Sequence, residues 1–121
     1  MDKILVVEDD KTVYSGIKKL LELQHYSVVI AQNGMEALEK IDESFSLVIM
    51  DIMMPEMDGY EATRMIREMD LNVPIVAMTA NAFMEDKIKA KKAGMNAHVS
   101  KPLDKDILIR VISKLCGYKN V

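Results

Sequence analysis

A chain of 121 residues, 50% hydrophobic and 29% charged, fits one globular domain and excludes both a disordered tail and a membrane-spanning protein. The net charge of −3, from 16 basic and 19 acidic residues, argues against nucleic-acid binding by this chain alone, because such affinity rests on neutralising phosphates. The single cysteine, Cys116, excludes an internal disulfide and suits a reducing compartment. Apolar runs such as Leu47-Val48-Ile49-Met50 are far too short to cross a bilayer. Met1-Asp2-Lys3-Ile4 opens straight into a strand-like run without a signal segment, so a cytoplasmic protein with no membrane contact is expected.

Ile4-Leu5-Val6-Val7 is a β-branched apolar run of strand length, the pattern of a strand covered on both faces. Val13, Ile17, Leu20 and Leu21 then recur at helical spacing, with Asp10 placed to cap that helix. Val28-Val29-Ile30-Ala31 predicts a second strand. Asn33, with Glu36 three residues on, resembles a capping box for a helix carrying Met35, Leu38 and Ile41. Leu47-Val48-Ile49-Met50 is the third strand, and Asp58 caps a helix bearing Ala62, Met65, Ile66 and Met69. Ile75-Val76-Ala77-Met78 is the fourth. Residues 84–93 form a short helix, stopped at Gly94. Its Lys87, Lys89, Lys91 and Lys92 read as a solvated face. Ala97-His98-Val99-Ser100 is a weaker fifth strand, and Asp104 caps a last helix with a stripe of Ile107, Leu108, Val111, Ile112 and Leu115. Strands and helices alternating in this way predict one α/β domain over residues 1–121, a parallel sheet with helices on both faces.

In such sheets ligands bind beyond the carboxyl ends of the strands. The first strand ends at Glu8-Asp9-Asp10, the third at Asp51, the fourth at Thr79, and the fifth runs into Lys101-Pro102. Carboxylates gathered at one edge repel unless something offsets them. A magnesium ion does so, through hard oxygen ligands. A carboxylate can also attack phosphorus, and the resulting acyl phosphate needs a metal, a cation and hydrogen-bond donors. Asp51 supplies the nucleophile, Lys101 the cation and Thr79 a donor. Asp58-Gly59 reads as turn and cap chemistry, His25 as surface, and Cys116 as a packing residue. The methionines read mostly as core and loop filling.

The segments Ile4-Leu5-Val6-Val7-Glu8-Asp9-Asp10, Met50-Asp51-Ile52-Met53-Met54-Pro55-Glu56-Met57-Asp58-Gly59, Met78-Thr79-Ala80 and Ser100-Lys101-Pro102 together resemble response-regulator receiver domains of two-component signalling, across essentially the whole chain. The resemblance implies the flavodoxin-like (βα)5 strand order 2-1-3-4-5. It makes Asp51 the phosphoacceptor. It implies Mg2+ held by Asp9, Asp51 and the Met53 carbonyl, with Glu8 acting mainly through water. Lys101 would pair with the phosphoryl oxygens, Thr79 would hydrogen-bond one of them, and N–H groups near Ile52, Met53 and Ala80 would donate others. A cis Lys101-Pro102 bond is also implied.

In similar proteins a switch couples the threonine to an aromatic residue on the fifth strand. His98 stands here where Tyr or Phe is commoner, which adds a polar tip to the switch. The implied partner is a sensor histidine kinase or a histidine phosphotransfer domain, docking on the first helix at Lys11, Thr12, Val13 and Tyr14. Output would use the face of the fourth helix, fifth strand and fifth helix, and a dimer formed on phosphorylation is an option. The stretch from Thr79 to Asp86, with Ala93-Gly94-Met95-Asn96 and Ser100-Lys101-Pro102-Leu103, resembles receivers fused to hybrid sensor histidine kinases. Asp10 departs from that subgroup, which often carries Asn.

The rival reading is a phosphatase or phosphotransferase that turns over through Asp51. Haloacid-dehalogenase-like enzymes carry a second acid two residues after the nucleophile, where this chain has Met53. A flavin or nucleotide site lacks a glycine-rich loop after the first strand. The expectation is a signalling phosphoacceptor that assists its own phosphorylation and dephosphorylation, and not a metabolic enzyme.

Overall fold

Strand and helix alternate throughout the computed structural model, which describes residues 2–80 and 84–117. In chain order the elements are β1 (Lys3–Val7), α1 (Lys11–Leu23), β2 (Ser27–Ala31), α2 (Gly34–Lys40), β3 (Leu47–Asp51), α3 (Gly59–Glu68), β4 (Ile75–Thr79), α4 (Met84–Ala93), β5 (Ala97–Ser100) and α5 (Lys105–Gly117). All the strand pairings are parallel, in the order β2-β1-β3-β4-β5. This is the flavodoxin-like (βα)5 arrangement. No helix among the described residues is long and apolar enough to cross a membrane.

The sheet splits the apolar residues by strand alternation, because successive side chains point to opposite faces. Leu5, Val7, Val48, Met50, Ile75 and Ala77 face α2, α3 and α4, where Ala37, Ile41, Ala62, Ile66 and Ala90 meet them. Ile4, Val6, Leu47, Ile49, Val76 and Met78 face α1 and α5, where Ile17, Leu21, Leu108 and Ile112 meet them. Full burial of each large aliphatic side chain is worth about 1.5–3 kcal/mol. Burial is complete for β3, β4 and, beyond Lys3, β1, and weakens at the edges: Ser27, His98 and Ser100 are exposed, and Val28, Val29 and Ile30 are only half-buried. The central strands are therefore covered on both faces, and the edge strands only in part.

Each anticipated cap that can be read is in place. Asp10 accepts from the N–H groups of Thr12 and Val13 at 2.9 and 3.3 Å. Asn33 accepts from Glu36 N–H at 2.8 Å, but the Glu36 side chain pairs with Lys40 at 2.8 Å. Asp58 accepts from Glu61 N–H at 2.9 Å, and Asp104 from Asp106 and Ile107 N–H at 2.9 and 3.1 Å. Gly94 ends α4 at φ +106°, a conformation that favours glycine. The apolar stripes are narrower than their periodicity predicts: Met35, Met65, Met69 and Ile107 face solvent. Cys116 is buried in the α1–α5 layer, and His25 is exposed.

Candidate functional site at the carboxyl edge of the sheet

The parallel register brings the strand ends level, since Asp51 pairs with Met78 and Thr79 with Ser100. Asp51 is the last residue of β3, not the first residue of a loop, and is 2% exposed. The pairing continues one step past it, with Ile52 N–H donating to the Met78 carbonyl at 3.1 Å. Likewise Glu8 N–H donates to the Ala31 carbonyl at 3.0 Å, which holds Glu8 in line with β1 and buried. Lys101 N–H donates to the Thr79 carbonyl at 2.8 Å. The Lys101–Pro102 bond is cis.

These backbone bonds deliver Glu8, Asp51, Thr79 and Lys101 to one small region. The Lys101 ammonium lies 2.9 Å from a Glu8 carboxylate oxygen and 3.2 Å from an Asp51 oxygen. Met53 N–H donates to that same Asp51 oxygen at 3.2 Å. The second Glu8 oxygen accepts from Asp10 N–H at 3.1 Å. Burial acts to lower the Lys101 pKa, but the Glu8 hydrogen bond and the Asp51 charge outweigh it, and the pKa lies above the ordinary lysine value. The ammonium is therefore held charged between two acids.

Carboxylate oxygens of Glu8, Asp9 and Asp51 lie within 4.8 Å of one another. Asp9 is exposed at the rim, while Glu8 and Asp51 form the buried floor. A hard, all-oxygen donor set of this kind fits a divalent cation that keeps some of its own water, as magnesium does. Both Glu8 oxygens are already engaged by Lys101 and the Asp10 N–H group, which suits an indirect part for Glu8. Thr79 is buried at the end of β4. His98 is exposed on β5 and borders the same narrow cleft as Thr79 and as Asp86 and Lys87 of α4. Residues 81–83, part of the stretch that resembles hybrid-kinase receivers, lie outside the described residues.

One contact at the site goes beyond the turn and cap chemistry that Asp58-Gly59 suggests. Gly59, the first residue of α3, lies against the end of β3: an added Cβ would collide with the Asp51 carbonyl oxygen and come within 2.9 Å of Ile52 Cα. Gly59 N–H also donates to the Ile52 carbonyl at 3.0 Å. The Asp58-Gly59 pair thus does more than cap a helix. It closes the loop that carries Met53 back onto the end of β3.

The order of the sheet, and the acids, threonine and lysine at its carboxyl edge, define the class as a flavodoxin-like signalling receiver. The chain belongs to the response regulator receiver domain family, whose profile matches residues 4–113. It is 40% identical over 129 aligned positions to hybrid signal transduction histidine kinase B of Dictyostelium discoideum, an alignment covering 94% of this chain and 7% of that protein. Across curated relatives such as that kinase and a Haemophilus influenzae CpxR homolog, the chain spans between 7% and 49% of their length.

Among solved structures, the receiver domain of the sensor histidine kinase PA1611 from Pseudomonas aeruginosa, with a magnesium ion coordinated in its active-site cleft, superposes with a TM-score of 0.87 at 33% identity, covering 96% of this chain and 98% of that one. The Ssk1 receiver domain of Saccharomyces cerevisiae, co-crystallised with the phosphotransfer protein Ypd1, is represented by a chain that superposes with a TM-score of 0.94 at 28% identity, covering 99% and 92% of the two chains.

Proposed function

We propose that Asp51 accepts a phosphoryl group from a phosphohistidine on a partner protein, with Mg2+ bound beside it, and that the modified domain switches its contacts. The observation that carries this reading is the seating of Lys101 between Glu8 and Asp51, at 2.9 and 3.2 Å. An Asp51 oxygen attacks phosphorus, the P–N bond of the donor breaks, and the imidazole leaves with the electron pair. Lys101 then follows the new charge onto the phosphoryl oxygens. Met53 N–H and the Thr79 hydroxyl donate to those oxygens, fixed dipoles aimed where charge develops.

Asp9, Asp51 and the Met53 carbonyl would hold the ion, with Glu8 acting through water. When bound, magnesium offsets negative charge on the phosphoryl oxygens. Movement of Thr79 toward the phosphoryl group would open room beside His98, which makes that pair the switch. The domain spans residues 1–121 as one unit and works in the cytoplasm, without contacting membrane or nucleic acid by itself. A phosphorylation-dependent dimer fits the same scheme.

The donor would be a sensor histidine kinase or a histidine phosphotransfer domain. A groove of about 330 Å3 next to the site supports helix docking there: Val13, Gly16, Ile17 and Leu20 of α1 face Pro102 and Leu103 across it. Lys101 lies at its edge, so a helix seated in this groove could present its histidine to Asp51.

The test is intact mass after incubation with Mg2+ and acetyl phosphate. Wild type gains one phosphoryl adduct, and Asp51→Asn and chelator-treated wild type gain none. An unmodified wild type, insensitive to magnesium, would leave the acid cluster as structural and end this reading.

A further inference from the structure

We propose that the groove at the amino edge of the sheet, between the loops that lead into β3 and β4, binds a short basic segment of a partner protein, through an apolar side chain set between lysines or arginines. The groove encloses about 400 Å3. Phe45, Leu71, Val73 and Pro74 form its floor, and Asp42, Glu43 and Asp70 stand around it. Phe45 and Val73 are buried, Leu71 and Pro74 half-buried, and the three acids exposed. An apolar floor under a charged rim offers a partner both area to bury and charges to match.

The sign of the rim points to the occupant. No lysine or arginine lines the groove, and among the described residues none of the three acids belongs to an ion pair. The Ser44 hydroxyl and N–H both donate to Asp42 and hold its carboxyl below the usual carboxylate range, so the rim keeps its charge. Separate cations on one peptide suit these acids better than a single metal ion does. Among the described residues, the trio of acids that meets closely enough to share an ion is Glu8, Asp9 and Asp51, at the opposite edge of the sheet.

Both walls are pinned before any partner arrives. Arg67 donates to the carbonyls of Leu71 and Val73 at 2.8 and 2.7 Å, and the Pro74 carbonyl accepts from Val48 N–H at 2.9 Å, which fixes the loop into β4. On the other side Lys3 donates to the Ser44 hydroxyl at 2.9 Å and lies 4.3 Å from the centre of the Phe45 ring. A groove held in this way loses little freedom when it is filled.

The location separates this contact from the chemistry at Asp51. The groove lies before β3 and β4 begin, whereas Asp51 ends β3. The length of that strand puts about 13 Å between Leu47 and Asp51. An occupant here therefore leaves the acid cluster uncovered, and it would hold the domain beside a partner in both states of Asp51, as a tether and not a readout. The tether clause rests on the phosphoacceptor reading of Asp51, whereas the docking itself does not.

The test is titration of 15N-labelled protein with the capped peptide Arg-Lys-Leu-Leu-Lys-Arg. Shifts are expected at residues 42–45 and 70–74, with binding weakened about tenfold in the Glu43→Lys/Asp70→Asn double variant and by added salt. Asparagine tolerates the left-handed backbone of Asp70, at φ +60°, so the double variant should fold. No shift at about millimolar peptide, or equal binding by the variant, overturns the proposal. Two control peptides test it on the wild type alone: equal binding of Glu-Glu-Leu-Leu-Glu-Glu or of Arg-Lys-Gly-Gly-Lys-Arg overturns it too. So do shifts centred on Glu8, Asp9 and Asp51, or CaCl2 moving the groove residues more strongly than the peptide, which would make a metal ion the occupant. Equal affinity before and after acetyl phosphate supports the tether, and a tenfold change removes it. Peptide binding by a wild type that takes no adduct would keep the docking and remove the phosphoacceptor reading.

Discussion

The Lys101 ammonium reaches across 93 positions of sequence to bond Glu8 at 2.9 Å, and the same nitrogen contacts Asp51 at 3.2 Å. One cation therefore offsets charge on two members of the acid cluster before any metal arrives. Binding of a divalent ion must work against that arrangement, because each positive group weakens the field felt by the other. Lys101→Met is expected to bind Mg2+ severalfold more tightly than wild type while its rate of phosphorylation by acetyl phosphate falls. Calorimetric titration with MgCl2 checks the first part, and weaker binding by the variant would refute the coupling.

Linkage gives the same pair a pH signature. The folded Lys101 pKa is raised above 10.5, so its contribution to stability is fully present below that value and is lost as pH rises through the folded value. The stability gap between wild type and Lys101→Met in urea should stay constant through the neutral range and close only in strong alkali. A gap that closes near neutrality would mean another group titrates in its place.

Asp9 and Asp10 are neighbours with separate tasks. Asp10 caps α1 through Thr12 and Val13, work that asparagine does equally well. Asp9 contributes an oxygen to the acid cluster. Asp10→Asn should leave stability and Mg2+ affinity near wild type, and Asp10→Ala should cost about 1 kcal/mol of stability. Asp9→Asn should keep stability but lose Mg2+ affinity. Finding the two asparagine variants equal in the MgCl2 titration would contradict this division.

Gly59 has no room for a methyl group, since the obstructing atoms are backbone at the end of β3. Gly59→Ala must shift α3 or β3, and overpacking of this kind costs about 1–3 kcal/mol. Because the shifted strand end carries Asp51, phosphorylation should slow as well. A variant that matches wild type in both urea denaturation and adduct formation would show that α3 yields freely here.

Arg67 ties three segments together. Its guanidinium donates to the carbonyls of Gly94, Leu71 and Val73 at 2.7–2.8 Å and to the Asn96 side chain at 3.0 Å. That Asn96 oxygen also accepts from Ile75 N–H at 2.9 Å. Removing a charged donor from such a set costs about 1.5–3 kcal/mol for each bond left unmade, less what water restores. Arg67→Met should lower the urea midpoint strongly, and Arg67→Lys should rescue little, because an ammonium cannot span the fork. Full rescue by lysine would reduce the role to charge alone.

What the sequence made legible follows from locality. Uninterrupted runs such as Ile4-Leu5-Val6-Val7 announce strands covered on both faces, and the acids that end the first and third runs, Glu8 and Asp51, mark the carboxyl edge of the sheet. Caps were readable because the side chain and its target lie within three residues. The helix stripes were overread at Met35, Met65, Met69 and Ile107. A helix lying on a sheet touches it along a narrow line, and its buried positions include small residues such as Gly34, Ala37 and Gly59, which a search for large apolar side chains passes over. The Arg67 tie and the contact of Gly59 with Asp51 depend on how distant segments meet, and no local pattern encodes either.

The underside of α4 has a consequence of its own. Its only buried residues are Ala90 and Ala93, so the buried part of its contact with the sheet is made by methyl groups. Longer side chains interlock like teeth, and a helix seated on them must climb out of one notch to reach the next. A methyl-lined bearing has no such notches. Small shifts or tilts of α4 would therefore cost little contact, and this helix borders the cleft that Thr79 also lines.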